Sequence, residues 1–476
     1  MSEPDDDLPR ADRLGPAGEG RPLRLIPRDG LDAALAALPP AQRAWAEANG
    51  FKGRLGQTLP LPSEDGAVDG ALFGWGDAAA RARSRFHLGA FAAKAPKGAW
   101  RIEADLPPQD LEEAALGWLL ARLRFEDYKA APLPAATLAA PEGVDPDRIH
   151  RLADAVALTR RLIDTPAEDM GPARIEAAAR ALAAAHGAAA SSIVGDALLA
   201  ENFPMIHAVG RAAAPGREPR LIRFDWGGEG PRITLVGKGI AFDTGGLGIK
   251  PGASMALMKK DMGGAAQVLG LARAIMDAGL KVRLTVLIPS AENAISGPAF
   301  RPGDVLRSRK GLTVEVNHTD AEGRLVLADA LALGDEAGPD LMLCFATLTG
   351  AARVAMGPEL PPFYTDDEAL AADLSAAAAR VADPIWRLPL WPGYEEKIEP
   401  AIADLDNAPA GGMAGSITAA LFLKRFVEAA GAFAHFDVYG WTPASKPGRP
   451  KGGEAQGLRA AFEVIAARAA SGSGAA

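Results

Sequence analysis

The stretch VGKGIAFDTGGLGIKPGASMALMKKDMGGAA, residues 236–266, decides how the rest of the chain is read. An apolar run at 233–236 leads into it and has the texture of a buried strand. Glycines follow at 237, 239, 245, 246, 248, 252, 263 and 264, so the backbone can turn sharply and lie close to a ligand. Lys238, Asp243, Lys250, Lys259, Lys260 and Asp261 stand among them. No helix pattern interrupts the stretch before residue 267. A long loop rich in glycine and charge, directly after an apolar strand, makes a poor core and a good site.

Working outward, strands are expected at 193–195, 205–209, 221–224, 282–288, 312–316 and 341–345. Helices are expected at 149–163, 172–187, 267–280 and 325–334. Alternating strand and helix signals predict an α/β fold with an open, mostly parallel sheet and helices on both faces. Such sheets bind ligands at the carboxyl ends of their strands, which is where the charged loops fall. Upstream, residues 23–128 mix short strands (71–75, 100–102) with helices (33–38, 41–48, 111–125) and carry no catalytic motif. Residues 129–145 are rich in Pro and Ala and read as a linker. The first 20 residues are polar and expected to be disordered, and the tail from 471 is expected to fray. The division is therefore 1–20 disordered, 21–145 a small N-terminal α/β domain, and 146–476 a larger site-bearing domain.

Of the 476 residues 48% are hydrophobic and 23% charged, which suits a globular protein with a sizeable core. The formal net charge of -9 leaves no basic footprint for nucleic acid. The only cysteine, Cys344, lies in an apolar run and is expected to be buried and inert. No apolar run reaches the ~18 residues of a membrane span. The first residues are acidic rather than basic-then-apolar, so a cytoplasmic protein with no membrane partner is expected.

A second charged cluster, NHTDAEGRLVL at 317–327, follows the strand expected at 312–316. Asp320 and Glu322 are two apart, so in an extended turn both carboxylates can reach one point. With Asp243, Asp261 and Lys238 they make an oxygen-rich set bearing one amine, the kind that holds hard or borderline divalent cations. Four converging carboxylates would repel one another without cations. Two metals about 3.5–4 Å apart could share bridging carboxylates and activate a water. There is no HExxH, and Gly237-Lys238 is not a phosphate-binding loop, because Gly239 stands where that motif needs Ser or Thr. One Asp in a glycine-rich loop is usually a turn residue. Five such residues in two loops, each after an expected strand, are not so easily dismissed.

The motifs VGKGIAFDTGGLGIKP (236–251), MKKDMGGAA (258–266), ENAISGPAFRPGDVL (292–306), TDAEGRLVLADAL (319–331), ATLTGA (346–351) and AGSITAALFLKRFV (414–427) occur in order. Together they resemble the leucyl aminopeptidase family, cytosol aminopeptidases that use two metal ions. The likeness covers about residues 149–465. It implies that 146–476 is a catalytic aminopeptidase domain acting on peptides, and that the chain forms a homohexamer. It implies that Lys238, Asp243, Asp261, Asp320 and Glu322 are metal ligands, with Asp243 and Glu322 bridging. Manganese or zinc would come first, magnesium or cobalt next. A ligating Lys238 must be neutral, so its pKa should be strongly depressed. Lys250 matches the lysine that polarises the scissile carbonyl, and Arg324 the arginine that holds a bicarbonate ion as general base. Met258, Thr347 and Gly350 match the wall and floor of the pocket for the first side chain, and Leu348 falls among the substrate-contacting positions. His318 stands where the family usually has Asn beside the substrate, and Tyr439 where it usually has Ala. Tyr439 should make the pocket shallower or redirect it, so preference for Leu should fall relative to smaller or polar first residues. Two other readings remain at this stage: a hexameric DNA-architectural protein reusing the fold, and a two-metal phosphoesterase.

Overall fold

The structure is a computed structural model and describes residues 8–472. Residues 10–157 with 443–451 form one compact unit, and residues 158–442 with 452–472 form most of the other.

The smaller unit holds a five-stranded sheet in the order Thr58–Pro62, Val68–Gly76, Arg21–Pro27, Gly98–Glu103, Ala136–Leu138. The first pair is antiparallel and the rest are parallel. Ala136–Leu138 lies within the segment expected to be a linker. Its Ala136 and Leu138 are buried, and they pair in register with Gly98 and Trp100, so that part of the segment belongs to the sheet. The expectation of disorder over residues 1–20 needs a similar correction. Residues 1–7 lie outside the described residues, but Ala11 is buried and donates its N–H to Asp154 Oδ1 at 2.8 Å. Gly15 pairs with Ala139.

The larger unit is built on a sheet whose centre is four adjacent parallel strands: Phe433–Asp437, Leu341–Ala346, Arg232–Gly237 and Arg283–Asn293. Antiparallel strands Arg220–Trp226 and Ala190–Val194 extend one side. Pro362–Tyr364 and Trp386–Arg387 extend the other. Alternation along Leu341–Ala346 assigns the faces. Met342, Cys344 and Ala346 join the core with Leu325, Leu327 and Leu331 of the helix Glu322–Glu336. The opposite face takes the helix Gly263–Asp277. Cys344 is buried, and burial pushes its thiol pKa up, away from nucleophilic use. Among the described residues no helix is long and apolar enough to cross a membrane.

Residues 205–209, expected as a strand, form the helix Pro204–Gly210 instead. A short apolar run cannot be told from a buried helix by periodicity alone. Pro204 in the first turn and Asp329 decide it here. Asp329 Oδ2 accepts the N–H groups of Met205 (2.8 Å) and Ile206 (3.2 Å), satisfying donors that a helix start leaves open.

Candidate active site

Lys238 directly follows the strand Arg232–Gly237, at the carboxyl end of the central sheet. Its backbone is held on both sides: its N–H donates to Phe345 O (3.0 Å), and its carbonyl accepts from Ala265 (2.8 Å). This approach requires Gly264, where a Cβ would lie 2.2 Å from Phe345 O. The glycine pair opening the helix Gly263–Asp277 thus fixes where the lysine starts. Its side chain then passes Gly323, where a Cβ would lie 2.5 Å from Lys238 Cε.

The Lys238 ammonium stands 2.8 Å from Asp261 Oδ2 and 2.9 Å from Glu322 Oε1, and it donates to Thr347 O at 3.2 Å. Asp261 lies in the 3-10 turn Met258–Met262, and its other oxygen accepts from Thr347 Oγ1 at 2.8 Å. Glu322 opens the helix Glu322–Glu336, where a carboxylate suits the positive end of the helix dipole. Asp243 ends the short strand Gly239–Asp243. Its Oδ1 accepts from Gly245 N and from Asn293 Nδ2, both at 2.8 Å. Lys250 Nζ bridges Asp243 Oδ2 (2.8 Å) and Asp320 Oδ1 (2.6 Å). The loop carrying Lys250 is laced to its surroundings: Thr244 Oγ1 donates to Asn293 O, and Thr319 Oγ1 accepts from Gly248 N and donates to Gly245 O.

All five expected ligand residues therefore meet in one place, with Lys250 beside them. Asp243, Asp320 and Glu322 each offer an oxygen within 4.8 Å of the others. Asp261 stands across Lys238 from that trio. Burial, and then the neighbouring Asp243, raises the pKa of Glu322 and of Asp320; burial also raises that of Asp261. Lys238 is held as an ammonium by these carboxylates. Burial opposes its charge, but Asp261, Glu322 and Asp243 outweigh burial and hold its pKa above the ordinary lysine value. The same balance raises Lys250, chiefly through Asp243. The protein's own ammonium groups neutralise these carboxylates, and a metal cation against them would reverse the sign for Lys238.

The donor set fits divalent cations. It consists of carboxylate oxygens and one amine, and it is imperfectly satisfied from within. Asp261 Oδ2, Asp320 Oδ1 and Glu322 Oε1 are buried and lack an aligned hydrogen bond, although an ammonium lies within 2.9 Å of each. Four carboxylates against the two ammonium groups of Lys238 and Lys250 leave excess negative charge in a buried site, which is costly without further cations.

These residues open onto a cavity of about 490 Å³ lined by Lys238, Asp243, Lys250, Asp261 and Asp320. Met258, His318, Thr347, Leu348, Gly350 and Tyr439 line it too. Tyr439 does not turn onto Trp441. Its ring carries Lys260 Nζ 4.6 Å from its centroid and the Arg353 guanidinium 5.7 Å away. Burial pulls the pKa of Lys260 down to about 8. His318 is exposed, and its Nδ1 accepts from the Asp320 N–H at 3.1 Å. Arg324 lies off the cavity wall. It is buried, its Nε has no hydrogen-bond partner, and burial lowers its pKa to about 10.

Two residues escaped the sequence reading. Asn293 donates to Asp243, to Thr319 O and, at 3.5 Å, to Glu322, tying the two charged loops together. It closes the strand Arg283–Asn293, five residues past the end expected from the apolar run. Asp437 accepts the N–H groups of Leu348 and Thr349 and the Thr349 hydroxyl, holding the loop that carries Thr347 and Gly350. Burial pushes its pKa to about 6.

Comparisons with known proteins agree with this arrangement. Residues 157–462 match the model of the cytosol aminopeptidase family catalytic domain, and residues 21–141 that of the M17 aminopeptidase N-terminal domain. A probable cytosol aminopeptidase of Roseiflexus castenholzii is 40% identical over 368 residues, covering 73% of this chain and 75% of its own length. The crystal structure of a cytosol aminopeptidase from Coxiella burnetii superposes with a TM-score of 0.90 at 41% identity, over 95% of this chain and 98% of that one. The bottromycin maturation enzyme BotP in complex with Mn superposes with a TM-score of 0.85 at 32% identity, over 94% and 99%. Matched in both of its parts and along most of its length, the chain belongs to the cytosol aminopeptidase family and is a leucyl-aminopeptidase-like, metal-dependent exopeptidase.

Proposed function

We propose that the protein removes the N-terminal residue from short peptides by hydrolysis at a centre of two divalent ions. Lys238, Asp243, Asp261, Asp320 and Glu322 would hold them, with Asp243 and Glu322 shared. The observation that carries this reading is the convergence of four carboxylates around Lys238 and Lys250, three of them with a buried oxygen that has no aligned hydrogen bond. Manganese, the ion named with BotP, and zinc are the first candidates; magnesium and cobalt come next. Bound there, such ions would act as Lewis acids and lower the pKa of a water so that it can attack at neutral pH.

The chain's own groups have distinct tasks. Lys250 keeps a cation on the cavity wall, where it stabilises the charge developing on the scissile carbonyl oxygen. Lys238 must surrender its proton to serve as a ligand. The free amino group of the substrate would bind one of the ions, which would restrict cleavage to the first residue. Arg324 would hold a bicarbonate ion, which would supply a general base for the attacking water; its unpaired buried Nε supports an anion there.

Removing metal with a chelator and titrating Mn or Zn back tests this reading. Two ions per chain should be recovered together with hydrolysis of Ala- and Leu-anilides, while a phosphate ester stays intact. Full peptidase activity at near-zero metal content would refute the two-metal centre. The assembly is proposed as a homohexamer, so sedimentation should give six times 49.3 kDa; a monomer would refute that.

A further inference from the structure

We infer that the pocket beside Tyr439 is built for an acidic first residue, with Lys260 and Arg353 receiving the side-chain carboxylate. This rests on the peptidase reading and names its substrate class. Tyr439 lines the same cavity wall as Met258, Thr347 and Gly350. The Lys260 ammonium and the Arg353 guanidinium both lie within 6 Å of its ring centroid. Two cations gather at one ring on the cavity wall, and Arg353 raises the cost of charging Lys260.

No carboxylate among the described residues answers them. Lys260 is only 6% exposed, and Asp261 and Asp437 favour its charge without pairing with it, too weakly to offset its burial. The nearest candidates are committed elsewhere. Asp261 holds Lys238 and the Thr347 hydroxyl. Asp437 holds the Leu348 and Thr349 N–H groups and the Thr349 hydroxyl. A buried cation without a counterion is unfavourable, and a ligand carboxylate in contact with the cavity would relieve it. Arg353 is exposed and can close on the same group with its planar fork. A neutral Gln or Leu side chain offers no such compensation.

The experiment compares kcat/KM for Glu-, Gln-, Asp-, Asn- and Leu-anilides in the metal-loaded wild type, Lys260→Met and Arg353→Gln. The wild type should favour Glu over Gln, and Asp over Asn, by about 10- to 100-fold, as expected for hydrogen bonds to a charged group. The advantage should lie in KM and shrink as salt is raised. Each variant should bring the acid-to-amide ratio down by about tenfold or more. Arg353→Gln, at an exposed position, keeps the test open even where Lys260→Met fails to fold. Equal rates for Glu and Gln in the wild type, or a ratio that neither variant moves, overturn the acidic-residue assignment and leave the peptidase reading standing. Hydrolysis of none of the five anilides overturns the peptidase reading itself.

Discussion

Gly323 has no side chain where Lys238 passes: a Cβ at position 323 would stand 2.6 Å from the lysine Nζ. The helix Glu322–Glu336 therefore delivers a carboxylate at its first residue and clears space for an amine at its second. Gly323→Ala should displace the lysine from Asp261 and Glu322. We expect a folded protein that loses about 10- to 100-fold in metal affinity or kcat/KM, the range seen when groups supporting a metal site are removed. Metal content and circular dichroism check this together. A variant that keeps full metal occupancy and full activity would show that Lys238 has another way to its place.

Lys250→Ala should lower kcat by about 10² to 10³ with the metals retained, the usual consequence of removing one donor to a developing oxyanion. Arg324→Ala should lower it less, because water can stand in for a bound bicarbonate. The pair separates the roles: added bicarbonate should affect the wild type and Lys250→Ala but not Arg324→Ala. If kcat in Lys250→Ala equals that of the wild type, the carbonyl-polarising role is wrong.

Asp329 gives a pH signature far from the catalytic chemistry. Burial raises its pKa to about 7, against the pull of N–H groups from Arg309, Ile206 and Met205. The folded state therefore holds its proton through a window, from about 4 to 7, in which the unfolded chain has lost it. Stability contributed by this residue is fully present at the low end of that window and falls as pH rises. The unfolding free energy of wild type minus that of Asp329→Asn should decline from pH 5 to 7 with a slope approaching one proton. A difference that is flat with pH, or that rises, would contradict the burial-driven shift.

Tyr439→Ala removes the ring that Lys260 and Arg353 flank. The pocket gains volume and loses the surface that gathers the two cations. Hydrophobic discrimination of one methylene is worth only ~1–3 kcal/mol, so the change should appear in the ranking of substrates. Leu- and Phe-anilides should gain on Ala- and Gly-anilides in the variant. An unchanged ranking, in a wild type that already favours Leu, would remove Tyr439 from the pocket wall.

The sequence made the site more legible than several of the elements around it. Lys238, Asp243, Asp261, Asp320 and Glu322 were readable because glycine and charge in two loops after apolar strands have few structural uses. Local pattern failed where distant groups decide the outcome. The helix Pro204–Gly210 is capped by Asp329, 124 residues from Met205, so nothing near it in sequence favours helix over strand except Pro204. Ala136–Leu138 becomes a strand because Gly98–Glu103 offers an edge to it. Asn293 lies beyond the strand expected at 282–288, and its three acceptors belong to other segments. The charge on Lys238 is likewise a matter of distant segments: Asp261, Glu322 and Asp243 together outweigh its burial.

The bridging position of Lys250 has a kinetic consequence. Its ammonium lies between Asp243 and Asp320. On the reading proposed above, a metal ion taken up by that pair would exchange one positive charge for another, so Lys250 would first have to leave the carboxylates. The cavity it lines is the space open to it. Loading the centre and freeing the lysine would then be a single event.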